Sequence, residues 1–178
     1  TGALVTYVIP TTIGSATDDP AGFFIQAEQF GPAVFVAIDP ATLTPAPAIG
    51  DSVSFTMTQG AIRNGMSRVT ALTGWTRVSA GNPITSLTQN VSGATDLVSS
   101  LGAYEAELIT ATGSIDGGFS TSGSLHQQAL FATAGVNTGA VPRFRAPDTI
   151  VSSLGLSTGC AFTVQQTPLW RFTTTAQV

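Results

Sequence analysis

The sequence predicts an all-β chain built as two tandem small antiparallel barrels. Three observations carry this. Short β-branched or alternating runs recur between Gly and Pro turns along the whole chain. The passage from Phe23 to Leu72 strings together two strands, a Pro-rich connection, a Gly-Asp turn, a third strand and a basic hairpin leading into a fourth. A shorter version of that order returns toward the C-terminus.

Composition sets the limits. A chain of 178 residues suits one large or two small domains, and 43% hydrophobic residues supply a core. Only 9% are charged, against a usual ~25%, and the six basic residues are all arginine. Disordered chains combine low hydrophobicity with high charge, so that class is excluded. The net charge of −4 argues against general electrostatic binding of nucleic acid and leaves only local arginine patches. No run of ~18 apolar residues is present, so no membrane insertion is expected. The Thr-, Ser- and Ala-rich surface fits an exported protein whose signal peptide has been removed ahead of Thr1.

Taken in order, ALVTYVIP (3–10) is β-branched and closes at Pro10, which reads as an exposed strand. Asp18-Asp19-Pro20 is turn chemistry. GFFIQAEQ is a second strand, with Phe24 on one face and Phe23 and Ile25 on the other, and AVFVAID pairs with it through Phe30-Gly31-Pro32. Three prolines between Pro40 and Pro47 exclude a regular helix there. DSVSFTMT alternates strictly, with Val53, Phe55 and Met57 pointing one way. Asn64-Gly65 is a hairpin signal, and Gly81-Asn82-Pro83 ends the unit.

Residues 1–88 form the first predicted barrel and 104–178 the second. The connector, 89–103, carries the one passable helix, capped at Thr95 or Asp96 and bearing Leu97, Val98 and Leu101. Beyond it YEAELITATGSI, HQQALFATAGV and the tail from Val141 supply further strands. The repeat aligns Phe35 with Phe144, Asp39 with Asp148 and Gly50 with Gly159 at equal intervals. Five short strands with a long connection after the third suit the OB fold, a partly open Greek-key barrel.

GFFIQ, VFVAID, IGDSVSFTMTQG and NGMSRVTAL together resemble the OB-like modules of bacterial extracellular nucleases and related secreted surface proteins. The resemblance covers 22 to about 80, with a diverged second copy behind it. It implies an accessory or structural module, because the clustered His and acidic ligands of a nuclease domain are missing from the sequence.

No phosphate loop, zinc-ligand spacing or nucleophile elbow is present, so neither enzyme activity, cofactor nor metal is expected. Asp18-Asp19 reads as a solvated turn, since a calcium site would want more oxygen ligands at ordered spacing. Glu105 and Glu107 share a face if YEAEL is a strand, and a solvated edge accounts for them. Cys160 reads as a small buried hydrophobe, with no spacing that ties it to His126. Arg143 and Arg145 flank Phe144, so both guanidinium groups point one way and the ring the other. With Arg63, Arg68 and Trp170 they are the candidate binding residues, for stacking and phosphate contact.

Two function classes follow. The first is a structural subunit that self-assembles into a filament or surface layer, since no lysine guards the sheet edges. In that reading Leu4, Val5, Tyr7 and Val8 add to a neighbour's sheet. The second is a binding module for single-stranded nucleic acid or carbohydrate, accessory to a secreted enzyme.

Overall fold

The computed structural model describes residues 2–11, 18–123, 125–136 and 142–178. The chain is all-β, a closed five-stranded barrel followed by a curled, open sheet. The first unit holds β1 (Ala3–Ile9), β2 (Gly22–Gln26), β3 (Ala33–Val36), β4 (Ser52–Arg63) and β5 (Met66–Ser79). Around the barrel they run β1-β2-β3-β5-β4 and close back on β1, with β3 parallel to β5 and the other pairs antiparallel.

Alternation along each strand separates two apolar faces. Val5, Phe23, Val36, Val53 and Val69 point into the barrel and form its core, with Phe55 and Trp75 packed at one end. Phe24, Phe35 and Met66 point the opposite way, toward the second unit. The Gly50-Asp51 turn feeds β4 into the barrel. Gly50 takes a positive φ of 84°, its N–H donates to Val5 O, and the Asp51 carbonyl accepts from Val5 N–H. At the β4–β5 turn Asn64 (φ 50°) and Gly65 (φ 79°) both adopt the left-handed conformation that a two-residue hairpin loop requires. The alternation expected from Ser52 onward does not survive: register shifts interrupt β4 near Phe55 and Gln59, and Met57 emerges 59% exposed.

The second unit comprises β6 (Gln89–Asn90), β7 (Leu108–Ile115), β8 (Ser120–Thr121), β9 (His126–Thr133), β10 (Arg143–Pro147), helix α1 (Asp148–Ser153), β11 (Ala161–Pro168), β12 (Trp170–Phe172) and β13 (Thr175–Gln177). Its sheet runs β11-β7-β9-β10-β13-β12, with β10 parallel to β13. From β11 to β13 this is the order of the first barrel opened at the seam where β4 meets β5, with β12 added beyond β13. The connections correspond too. A single 3-10 turn (Pro40–Thr42) follows β3, α1 follows β10, and Gly50 and Gly159 both take positive φ ahead of the next strand.

The residue register of the repeat is offset, however. Phe35 faces outward on β3, whereas Phe144 lies in the second core against Phe119 and Phe162. Aligning the helix caps, Asp39 with Pro147, instead matches Phe35 with Arg143 and Val36 with Phe144. Asp148 is therefore the first residue of its helix and not its cap.

The segment from Thr95 to Ala103 is not the expected α-helix. It is a run of turns ending in a 3-10 turn at Leu101–Ala103, and it lays Leu97 and Leu101 over the second core. That burial gives the segment its shape in place of helix propensity, which is weak with Gly93 and Gly102 at either end.

The units meet on Trp170. Its ring packs edge-on against Phe24 (centroids 5.9 Å apart) and Phe35 (5.1 Å), and the Arg68 guanidinium lies 5.0 Å from the Trp170 ring centroid and 5.7 Å from that of Phe35. A backbone bond extends the joint: Thr173 N–H donates to Asn64 O. Leu108 N–H donates to the Gln26 side chain at 2.7 Å. Trp170→Ala would empty this contact and should lower global stability by about 3–5 kcal/mol. Denaturant titration should show both units destabilised together, and Trp170→Phe should recover most of the loss.

Candidate functional site

The outward face of β2 and β3 is closed, since Trp170 and Arg68 cover it. The matching face of the second unit is open at one end. Alternation on β9 and β10 sends Ala129, Phe131, Phe144 and Ala146 into the core, leaving Gln128, Arg143 and Arg145 on the outside. Register places Arg145 beside Gln128 and Arg143 beside Gln177 of β13. These side chains floor a cleft of about 450 Å³. Asp18 and Asp19 of the first unit wall one side; Ser122, Phe172 and Thr175 lie along the others.

Charge in the cleft is mostly committed. Arg145 donates through Nε to Ser122 Oγ (3.0 Å) and through Nη2 to the Ser122 carbonyl (3.1 Å) and to Asp19 Oδ2. Arg63 pairs with Asp18 at 3.2 Å, joined by Asn64 Nδ2 at 3.1 Å. Asp18 and Asp19, read from the sequence as a solvated turn, are therefore the acidic half of a network joining both units. Arg143 has no hydrogen bond or ion pair through its side chain among the described residues.

The other predicted binding residues sit apart from the cleft. Arg68 is 5% exposed; it donates Nη2–H to the Asp18 carbonyl at 2.9 Å, and its Nε has no partner among the described residues. Burial pushes its guanidinium below the ordinary value, with Asp19 opposing. Trp170 is 9% exposed and belongs to the joint. Leu4, Val5, Tyr7 and Val8 lie on β1, whose start is bonded to β2 on one edge and to β4 on the other. A strand in that position is part of its own barrel, and its removal would open the core around Val5.

Glu107 is the residue that the sequence hid. Tyr104 to Ala106 form a turn, β7 begins only at Leu108, and Glu107 between them is 5% exposed. Gln89 Nε2–H donates to its Oε2, and burial pushes its carboxyl up to about 7. Tyr104 beside it is pushed up to about 12, chiefly by donating its hydroxyl to Asp96 at 2.7 Å. Glu105 accepts from Ser67 N–H across the joint (2.7 Å) and from Arg171 within its own unit (3.2 Å). Cys160, expected to be buried, is partly exposed, and bonds from the Ser157 hydroxyl and N–H lower its thiol. Among the described residues no three His, Cys, Asp or Glu side chains cluster as metal ligands would, and no helix is long and apolar enough to cross a membrane.

Compared with protein-family models and with curated proteins, the chain matches none.

The raised Glu107 carboxyl fixes the sign of a pH effect. Its folded value exceeds the unfolded one, so its stabilising contribution is complete below about 4.5 and is lost as pH rises through about 7. Glu107→Gln should therefore raise stability at pH 8 by on the order of 3 kcal/mol and change little at pH 4. Urea unfolding at the two pH values measures both.

Proposed function

We propose that this protein is a non-catalytic carbohydrate-binding module, an exported OB-like pair whose Arg143 cleft holds a short stretch of glycan. The observation that carries the reading is the character of the cleft. It is lined by amides, hydroxyls and the Arg145–Asp19 ion pair, with Arg143 uncommitted among the described residues and a partly exposed Phe172 ring. Sugar hydroxyls are matched by such mixed donors and acceptors, and an aromatic ring supplies the apolar face that pyranose rings pack against. A single-stranded nucleic acid would want a row of free cations and stacking rings. Here the stacking rings of the first unit, Phe24 and Phe35, are already covered. The strand order, shared by both units, supports the OB reading, in which this face and the flanking loops bind ligands.

Calorimetric titration against a panel of neutral and uronate oligosaccharides and a dT oligonucleotide tests it. A glycan should bind, the oligonucleotide should not, and Arg143→Ala should weaken glycan binding about tenfold, the scale of one charge-assisted hydrogen bond. Absence of glycan affinity at low salt, or an unchanged affinity in Arg143→Ala, rejects the proposal.

Self-assembly is the second reading, and one observation favours it. From Phe55 to Arg63 the outer edge of β4 has no strand partner among the described residues, and it exposes Met57 (59%) and Ile62 (77%). Unprotected edges of this kind pair with other chains. Light scattering should then show association that rises with concentration and disappears in Met57→Lys/Ile62→Lys. A monomer at all concentrations rejects this reading.

A further inference from the structure

A separate groove, of about 590 Å³, lies between the β2–β3 turn of the first unit and the Gly102–Glu107 segment of the second. Glu107 forms part of its wall. One of its carboxylate oxygens is held by Gln89; the other, Oε1, lies against Gly31, where an added Cβ would come within 2.7 Å of it. Among the described residues no N–H or O–H donates to Oε1, and no cation pairs with this carboxylate. The charged and titratable neighbours are occupied elsewhere: Glu105 with Arg171 and Ser67, Tyr104 with Asp96.

A nearly buried carboxylate without a counter-charge is costly, and a ligand that brings the positive charge removes that cost. The acceptor geometry selects which cation. A guanidinium prefers both oxygens of a carboxylate, whereas only one is free, which suits the single-point donor of an ammonium. At the rim, the Phe30 ring is 75% exposed and Pro32 adjoins it, an apolar surface for an aliphatic stem and a ring face for the charge. None of the 178 residues is a lysine, so no side-chain ammonium among them fills this groove.

We propose that this groove binds a primary ammonium group on an aliphatic stem, donating to Glu107 Oε1 while the stem packs on Phe30. A lysine side chain of a partner and a free alkylamine share this chemistry.

The test is an NMR titration of the whole chain with n-butylammonium, Nα-acetyl-lysine methylamide and the neutral Nα-acetyl-norleucine methylamide. At pH 8 both ammonium compounds should shift Gly31, Gln89 and the Glu107 carboxyl, and the neutral compound should not. Tighter binding of the lysine derivative identifies a peptide side chain as the source, and equal binding identifies a free amine. At pH 5.5, with Glu107 protonated, affinity should fall at least about tenfold. Glu107→Gln should abolish binding while keeping a folded spectrum, and Phe30→Ala should weaken it several-fold. Equal binding of the norleucine derivative, undiminished binding by Glu107→Gln, or no shifts with any ammonium compound would overturn the proposal.

Discussion

The architecture depends on one buried arginine. Arg68 projects from β5 into the space between the units, where its guanidinium meets the Phe35 and Trp170 rings and donates to the Asp18 carbonyl. A charge that is 5% exposed would be prohibitive alone. Two ring faces, a carbonyl and the nearby Asp18 and Asp19 carboxylates offset its lost hydration. A lysine could not replace it, since a compact, strongly hydrated ammonium would neither stack nor fill the flat space between the rings. The same cluster orders the approach to β2 through Asp18, and through Asp19 it reaches Arg145 at the cleft.

Much of this was legible. The strands, the Asn64-Gly65 hairpin, the Gly50-Asp51 turn and the sharing of one face by Arg143 and Arg145 follow from periodicity and turn chemistry, which are local. The doubled strand order was visible through equal intervals, but its register was not. Matching Phe35 with Phe144 ignores that one ring serves a joint and the other a core, and a one-residue slip reverses the face. The helix expected after Thr95 failed because tertiary burial of Leu97 and Leu101 overrode a weak local preference.

What stayed hidden depends on distant contacts. Nothing near Trp170 marks it as the plug for a face formed by residues 24 and 35, and nothing near Glu107 announces Gln89 and Gly31 as its walls. The ion pairs Asp18–Arg63 and Asp19–Arg145 likewise span the chain. Sequence read these acids as solvated because it sees composition and spacing, and partners brought by the barrel closure lie outside both. The same contacts give the two equivalent faces different fates. In the first unit, aromatic rings are met by Trp170; in the second, polar side chains leave a cleft.

The most direct test of that asymmetry is amide chemical-shift mapping with a bound oligosaccharide. If one face is plugged and the other is the binding surface, the perturbations will cluster at Thr121–Gly123, Gln128, Arg143 and Thr175–Gln177, leaving Phe24 and Phe35 unmoved. Shifts centred on Phe24 and Phe35 would mean that Trp170 leaves its place, and would contradict the closed joint on which the rest of the structure is built.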